Sequence, residues 1–177
     1  LVNGTWETSE YNDRQQVTQI GLGHSSTDKS LLKIDYAYGT NTQNNGSLRQ
    51  QTISYFGVSN AIVQNYTYDD LNRLKSSTET SNNVQSWKQT FDYDRFGNRT
   101  FNVAGTTTPS ANNKITNPTI ETSNNRLKKD QDNDSQNDYD YDKSGNVTLD
   151  AENKRFIYDA ENRIKEFFKG TNSGTTP

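Results

Sequence analysis

Apolar and polar positions alternate along much of this chain. Leu32, Ile34, Tyr36 and Tyr38 alternate with Lys33, Asp35 and Ala37, the period-2 pattern of a strand with one face buried. Ile62, Gln64, Tyr66 and Tyr68 repeat the pattern, as do Trp87, Gln89, Phe91 and Tyr93; Arg49, Gln51, Ile53 and Tyr55 give a weaker version. No stretch carries a 3.6-residue apolar period with caps at both ends, and the nearest, residues 160–168, lies inside a repeat. The pattern predicts an all-β chain of antiparallel hairpins. Asn45-Gly46 predicts a tight hairpin turn between a strand ending near Tyr38 and one starting near Leu48.

A longer motif is laid over the alternation. It reads Tyr66-Thr67-Tyr68-Asp69-Asp70-Leu71-Asn72-Arg73-Leu74, then Phe91-Asp92-Tyr93-Asp94-Arg95-Phe96-Gly97-Asn98-Arg99. It returns as Tyr139-Asp140-Tyr141-Asp142-Lys143-Ser144-Gly145-Asn146-Val147 and as Phe156-Ile157-Tyr158-Asp159-Ala160-Glu161-Asn162-Arg163-Ile164. Weaker forms occur at Tyr11-Asn12-Asp13-Arg14 and Tyr36-Ala37-Tyr38-Gly39. The tyrosines 11, 38, 68, 93, 141 and 158 step by 27, 30, 25, 48 and 17 residues. A step near 25 fits two strands and two turns per unit. The step of 48 spans Ala104–Asn125, which has no Tyr and reads as a long loop or a degenerate unit, and the step of 17 suggests a tighter hairpin.

A lone hairpin cannot bury its own face, so such units gain stability by stacking on neighbours. Tyr68, Tyr93, Tyr141 and Tyr158 are expected to pack, each on its equivalent in the next unit. Asp69, Asp94, Asp142 and Asp159 are expected to accept backbone N–H groups of the following turn. Gly97 and Gly145 supply a residue free to take positive φ. In the other two units the glycine reads as replaced by Leu71 and Glu161, which predicts a different or more strained turn there. The whole chain, 1–177, reads as one repeat region, clear over 66–168, looser over 11–65, with the loop or degenerate unit at 104–125.

Composition adjusts this picture in three respects. Leu, Ile, Val and Phe make up 9 + 8 + 7 + 7 = 31 of 177 residues, too few for a thick core but enough for a thin sheet with water on one or both faces. The net charge of -3 and pI of about 5.2 do not suit binding to a nucleic-acid backbone. The absence of Cys removes disulfides and thiolate metal sites. The chain starts at Leu1 and has no Met, so it reads as part of a longer polypeptide. No apolar run approaches the ~20 residues of a membrane-spanning helix, and no signal peptide is visible.

The repeated Tyr-Asp-x-x-Gly-Asn-Arg units resemble the YD repeats of Rhs proteins, which also occur in shell-forming subunits of bacterial insecticidal toxin complexes and in teneurins. The resemblance is carried by Phe91–Phe101, Tyr139–Val147 and Phe156–Ile164. It implies a β-strip that spirals into a hollow shell around a toxic C-terminal domain, or forms a rigid extracellular barrel. It therefore implies a non-enzymatic wall segment of a secreted bacterial polypeptide, at the cell surface or outside the cell, whose main partner is the rest of that polypeptide. The family's self-cleaving region contains Asp-Pro, which does not occur here. An alternative is an extracellular adhesion or carbohydrate- or protein-binding module, able to self-associate through open strand edges.

Other chemistry is sparse. Asp130, Asp132, Asp134 and Asp138 have a spacing that resembles short calcium loops. Ser135 stands where an EF-hand has its turn glycine and Tyr141 where it has its bidentate Glu, so the competing reading is a solvated acidic loop. His24, the single His, lies in Gly23-His24-Ser25-Ser26 with no nucleophile elbow around it. Trp6, Trp87 and the tyrosines could stack on sugars, although regularly spaced aromatics in a repeat usually serve packing. Sequons at Asn65, Asn98 and Asn146 are incidental to strands and turns. No catalytic residue is assigned.

Overall fold

The computed structural model describes residues 4–108 and 114–169. Parts of the single-region reading and of the 104–125 segment, namely residues 1–3, 109–113 and 170–177, lie outside the described residues. The fold is all-β and antiparallel. One sheet runs in chain order through β1 (Trp6–Tyr11), β2 (Val17–Gly23), β3 (Leu32–Ala37), β4 (Gln50–Tyr55), β5 (Ile62–Tyr68), β6 (Leu74–Ser81), β7 (Val84–Tyr93) and β8 (Arg99–Phe101), each bonded to the next. A 3-10 turn at Val103–Gly105 follows, then the short pair β9 (Ile120–Glu121) and β10 (Arg126–Leu127). The last sheet orders β11 (Asp140–Tyr141), β12 (Val147–Leu149), β13 (Lys154–Tyr158) and β14 (Ile164–Lys169).

The chain divides into two compact units, 1–92 with 101–108, and 93–100 with 109–177, the division passing through the β7–β8 hairpin. In the first unit, a row of isoleucines crosses four strands: Ile20 opposes Ile34, Ile34 opposes Ile53, and Ile53 opposes Ile62. Beside it Leu22 opposes Leu32, which opposes Tyr55. Branched and aromatic cross-strand pairs of this kind contribute about 0.2–1 kcal/mol each. A second row is polar. Gln51 Nε2 donates to Gln64 Oε1 at 2.5 Å, Gln64 Nε2 to Glu79 Oε2 at 2.7 Å, and the Tyr66 hydroxyl to Gln64 Oε1 at 2.7 Å. Side-chain amides thus bridge β4, β5 and β6 where a thicker protein would place apolar groups.

Burial is accordingly slight. Phe91, Tyr139 and Leu149 are the buried apolar side chains, at 6–8% exposure, and no large side chain among the described residues is fully buried. Phe91 packs on Phe101, centroids 5.0 Å apart, and Phe156 on Phe167 at 5.5 Å.

The hairpin turns share one construction. In residues 69–73, the Asp69 N–H donates to Arg73 O and the Asn72 N–H to Asp69 O, both at 2.9 Å. The fourth residue is left-handed: Asn72 has φ 60° and Asn162 60°, and Gly97 and Gly145 have 88° and 94° at the equivalent place. This is the three-residue hairpin loop that closes on a left-handed residue and a bulge. The register slips by one residue at Tyr11, Tyr68, Tyr141 and Tyr158, where the return strand carries the extra residue.

Two expectations need correction. Leu71 and Glu161 do not replace the glycines; Asn72 and Asn162 do, one position later, because Asn tolerates the left-handed region. Asn45-Gly46 does not form a two-residue turn. β3 ends at Ala37 and β4 starts at Gln50, so the dipeptide sits in a long loop closed by Ala37 opposite Gln50. The two-residue turn is instead Asn82-Asn83, with φ of 50° and 60°, between paired Ser81 and Val84.

At Gly97 a Cβ would meet nothing within 4 Å, so only its φ of 88° opposes a side chain. Gly97→Val should therefore lower stability by more than about 1 kcal/mol. Gly97→Asn should cost much less, since Asn already fills this position elsewhere. Chemical denaturation of both variants checks the pair; equal losses would contradict the assignment.

Candidate functional site

The Tyr-Asp positions converge on the hairpin turns. Each motif Asp uses its two carboxylate oxygens differently. Asp69 Oδ1 accepts the Leu71 N–H at 3.0 Å and the Arg73 N–H at 2.8 Å, while Oδ2 accepts Arg73 Nε at 2.7 Å. Asp94 Oδ1 accepts the Phe96 and Asn98 N–H groups at 2.8 and 2.9 Å, and Oδ2 accepts Asn98 Nδ2 at 2.7 Å. Asp142 takes the Asn146 N–H and Nδ2, both at 2.9 Å. Asp159 takes the Glu161 and Arg163 N–H groups at 2.9 and 3.0 Å and Arg163 Nε at 2.9 Å. The Asn or Arg four residues after the Asp is therefore part of the turn, since its side chain folds back onto the free carboxylate oxygen.

Two further turns of this type lack the Tyr-Asp pair. Asp150 accepts the Glu152 and Lys154 N–H groups at 2.9 and 3.0 Å. Asn12 accepts those of Arg14 and Gln16, both at 3.0 Å. The sequence signal that finds all six is an Asp or Asn followed three residues later by Gly, Asn or Gln with positive φ.

The tyrosines tie each hairpin to the one before it, and the tie runs through the hydroxyl rather than ring against ring. Tyr38 Oη donates to Val17 O at 3.0 Å, Tyr68 Oη to Leu48 O at 2.8 Å, Tyr141 Oη to Leu127 O at 3.2 Å and Tyr158 Oη to Val147 O at 2.9 Å. Val17 and Val147 are the first residues of their return strands, next to the bulge. Burial raises the pKa of Tyr68 and Tyr141, which keeps the hydroxyl a donor. A guanidinium covers each of these two rings, Arg49 at 5.6 Å and Arg126 at 5.2 Å. Tyr93 holds the same position before Asp94.

Side-chain amides connect successive turns. Asn45 Nδ2 donates to Asn72 Oδ1 at 2.6 Å, Asn98 Nδ2 to Asn125 Oδ1 at 2.5 Å and Asn146 Nδ2 to Asn162 Oδ1 at 2.8 Å. Asn44 and Gln16 exchange amide bonds at 2.6 and 3.2 Å. The left-handed Asn thus does what Gly cannot, accepting a bond from the preceding turn. The Tyr-free segment takes part through its last residue: Asn125, with φ 58°, accepts from Asn98, and just beyond it Leu127 O receives Tyr141.

The acidic loop is a separate cluster. Carboxylate oxygens of Asp130, Asp132 and Asp138 lie within 4.8 Å of one another, and Asp134 is outside the group. Lys114 Nζ stands among them, 2.5 Å from Asp138 Oδ1 and 3.1 Å from Asp132 Oδ2. Hydrogen bonds from Lys114, first to Asp138 and then to Asp132, raise the lysine pKa; the bond from Lys114 lowers that of Asp132. Other oxygens of the loop accept backbone N–H groups. Asp138 Oδ2 accepts the Gln131 N–H at 2.8 Å, Asp130 accepts the Asn133 and Ser135 N–H groups at 2.7 and 3.2 Å, and Asp134 that of Gln136 at 2.8 Å. A divalent cation here would have to displace the Lys114 ammonium.

His24 lies in an exposed loop organised by Asp28, which accepts the His24 N–H at 2.8 Å and the Ser30 N–H at 2.9 Å. Among the described residues no hydroxyl or carboxylate hydrogen-bonds its imidazole. The Trp6 ring is 53% exposed on β1, and Trp87 is half-buried on β7.

Asp94 and Asp142 are held below the usual carboxylate pKa chiefly by the Asn98 and Asn146 amides, and Asp159 chiefly by the Arg163 N–H; at Asp69 desolvation works the other way, but the bonds from Arg73 and Leu71 outweigh it. Groups with depressed folded pKa stabilise above their unfolded value, near 3.8, and lose that contribution as pH falls through the folded value. Calorimetric melting should therefore be flat from neutral pH down to about 4 and fall below it. Asp142→Asn should melt lower than wild type at neutral pH and approach it in acid. Lys114→Ala should lower the melting temperature by leaving Asp138, at 7% exposure, without its cation. Millimolar Ca2+ should raise the melting temperature of that variant more than that of wild type; equal responses would show that the ammonium does not compete with the ion.

No protein-family model matches this sequence, and no curated protein matches it.

Proposed function

We propose that this chain is a non-enzymatic structural segment, a YD-repeat wall that encloses or presents another domain of a larger secreted polypeptide. The observation that carries the reading is the tie from four tyrosines, Tyr38, Tyr68, Tyr141 and Tyr158, to the backbone of the preceding hairpin. The polar atoms of the motif are spent inside the hairpins. The hydroxyls hold carbonyls and the carboxylates hold turns, an arrangement that serves rigidity rather than turnover. The likeness of the motif to Rhs repeats supplies the enclosed domain, the extracellular setting and the bacterial source.

A second reading, an adhesion or carbohydrate- or protein-binding module, is favoured by apolar side chains at turn tips. Leu71 is 72% exposed and Phe96 58% exposed, both at the third residue of their turns.

Limited proteolysis of the parent polypeptide tests the first reading. The remainder of the polypeptide should resist digestion when this segment is intact and become sensitive in the double variant Asp94→Ala, Asp142→Ala. Equal digestion of both would overturn enclosure. A glycan or protein array showing one specific hit that Leu71→Ser or Phe96→Ser abolishes would establish the second reading in its place.

A further inference from the structure

The two outer strands of this chain, β1 and β14, are complementary. Among the described residues β1 pairs only with β2, and β14 only with β13. Their outward edges therefore present unpaired backbone N–H and C=O groups. The internal ties state what such an edge fits. In each, a tyrosine at or just past the end of a strand donates to a carbonyl at or near the start of the preceding hairpin's return strand, Val17 and Val147 being its first residues. The register is constant. Extending Gln19↔Asp35 by two residues puts Val17 beside Ala37, one before Tyr38. Extending Gln50↔Asn65 puts Leu48 beside Thr67, one before Tyr68, and extending Leu149↔Arg155 puts Val147 beside Ile157, one before Tyr158.

Tyr11 ends β1 in the same position, is 57% exposed, and among the described residues its hydroxyl has no partner. Ile164 is the first residue after the last turn. We propose that the β14 edge of one copy pairs antiparallel with the β1 edge of a second copy, with Tyr11 Oη donating to Ile164 O, giving head-to-tail association.

The register then follows without adjustment, Ile164 opposite Glu10. It sets Phe168 opposite Trp6, an aromatic cross-strand pair, and Phe167 opposite Glu7. Lys169 lies two positions from Phe167 on the face that carries Glu7, and Lys165, the extra residue of the bulge, lies two positions to the other side along the strand. Glu7 is exposed and has no ion pair among the described residues; both lysines are exposed, Lys165 within 3.8 Å of Glu166 on its own strand. Acid on one edge meets two bases on the other, which steers the encounter and fixes the pairing. An interface that uses different edges on the two copies does not close by twofold symmetry, so it generates chains or rings rather than a simple dimer. This inference uses hairpin geometry and charge alone and is independent of the enclosure reading.

Sedimentation velocity over a rising concentration series tests it on the full chain. The wild type should grow beyond a dimer as concentration rises. Glu7→Lys alone, and the pair Lys165→Glu, Lys169→Glu alone, should each weaken association several-fold. Mixed, the two variants should recover it, because each junction in an alternating chain is again complementary. Tyr11→Phe keeps the ring and removes only the donor, and should also weaken association; it decides the matter if either charge variant no longer melts as the wild type does. A wild type that stays monomeric, association unchanged by Glu7→Lys or by Tyr11→Phe, or a mixture that does not recover, would each overturn the proposal.

Discussion

A carboxylate oxygen that takes two backbone N–H groups, two and four residues ahead of it, is the interaction on which the rest of this protein depends. A reversing chain leaves turn amides without ladder partners, and such groups must be satisfied. Asp69, Asp94, Asp150 and Asp159 do this through one oxygen, and Asn12 does it with its amide carbonyl. Fixing the amides fixes the turn, the left-handed residue and the bulge. The bulge places the next carbonyl where the following tyrosine can reach it. Local chemistry thereby sets the spacing of the hairpins, and the spacing lets isoleucines and glutamines line up across strands.

The economy of this scheme shows in the burial. With only Phe91, Tyr139 and Leu149 buried among the apolar side chains of the described residues, hydrophobic transfer has little to act on. Stability is instead distributed over cross-strand pairs, hydroxyl ties and amide bridges, each worth on the order of 1 kcal/mol. The acidic loop follows the same logic. Lys114 reaches Asp138 and Asp132, and Lys129 reaches Asp140, so part of the acidic run in sequence is paired with cations in space.

The strands and the role of the motif Asp could be read from sequence because both depend on neighbours a few residues away. Period-2 alternation marks β3, β5 and β7, and Asp before a turn has a short-range hydrogen-bonding habit. The tyrosine hydroxyl tie was not legible, because its acceptor is a backbone carbonyl in another hairpin and leaves no residue signature. The Asp150 turn lacks the Tyr-Asp pair and the Asn12 turn lacks the acid, because the constraint that matters is Asp or Asn followed by a residue at positive φ. Asn45-Gly46 misled because its flanks are not strands. Lys114 could not be assigned to the acidic loop, since 24 residues separate it from Asp138.

The hydroxyl tie also bears on how such a chain can change length. Each tyrosine reaches only the hairpin immediately before it, so removing or duplicating a whole two-strand unit presents every remaining tyrosine with the same carbonyl it had before. Insertions within a strand, or between a tyrosine and its turn, break a tie and shift a bulge, whereas loop length is free: Tyr141 and Tyr158 keep their ties after steps of 48 and 17 residues. Genetic gain and loss in this protein should therefore fall in loops or in whole two-strand units and be resisted inside strands and turns.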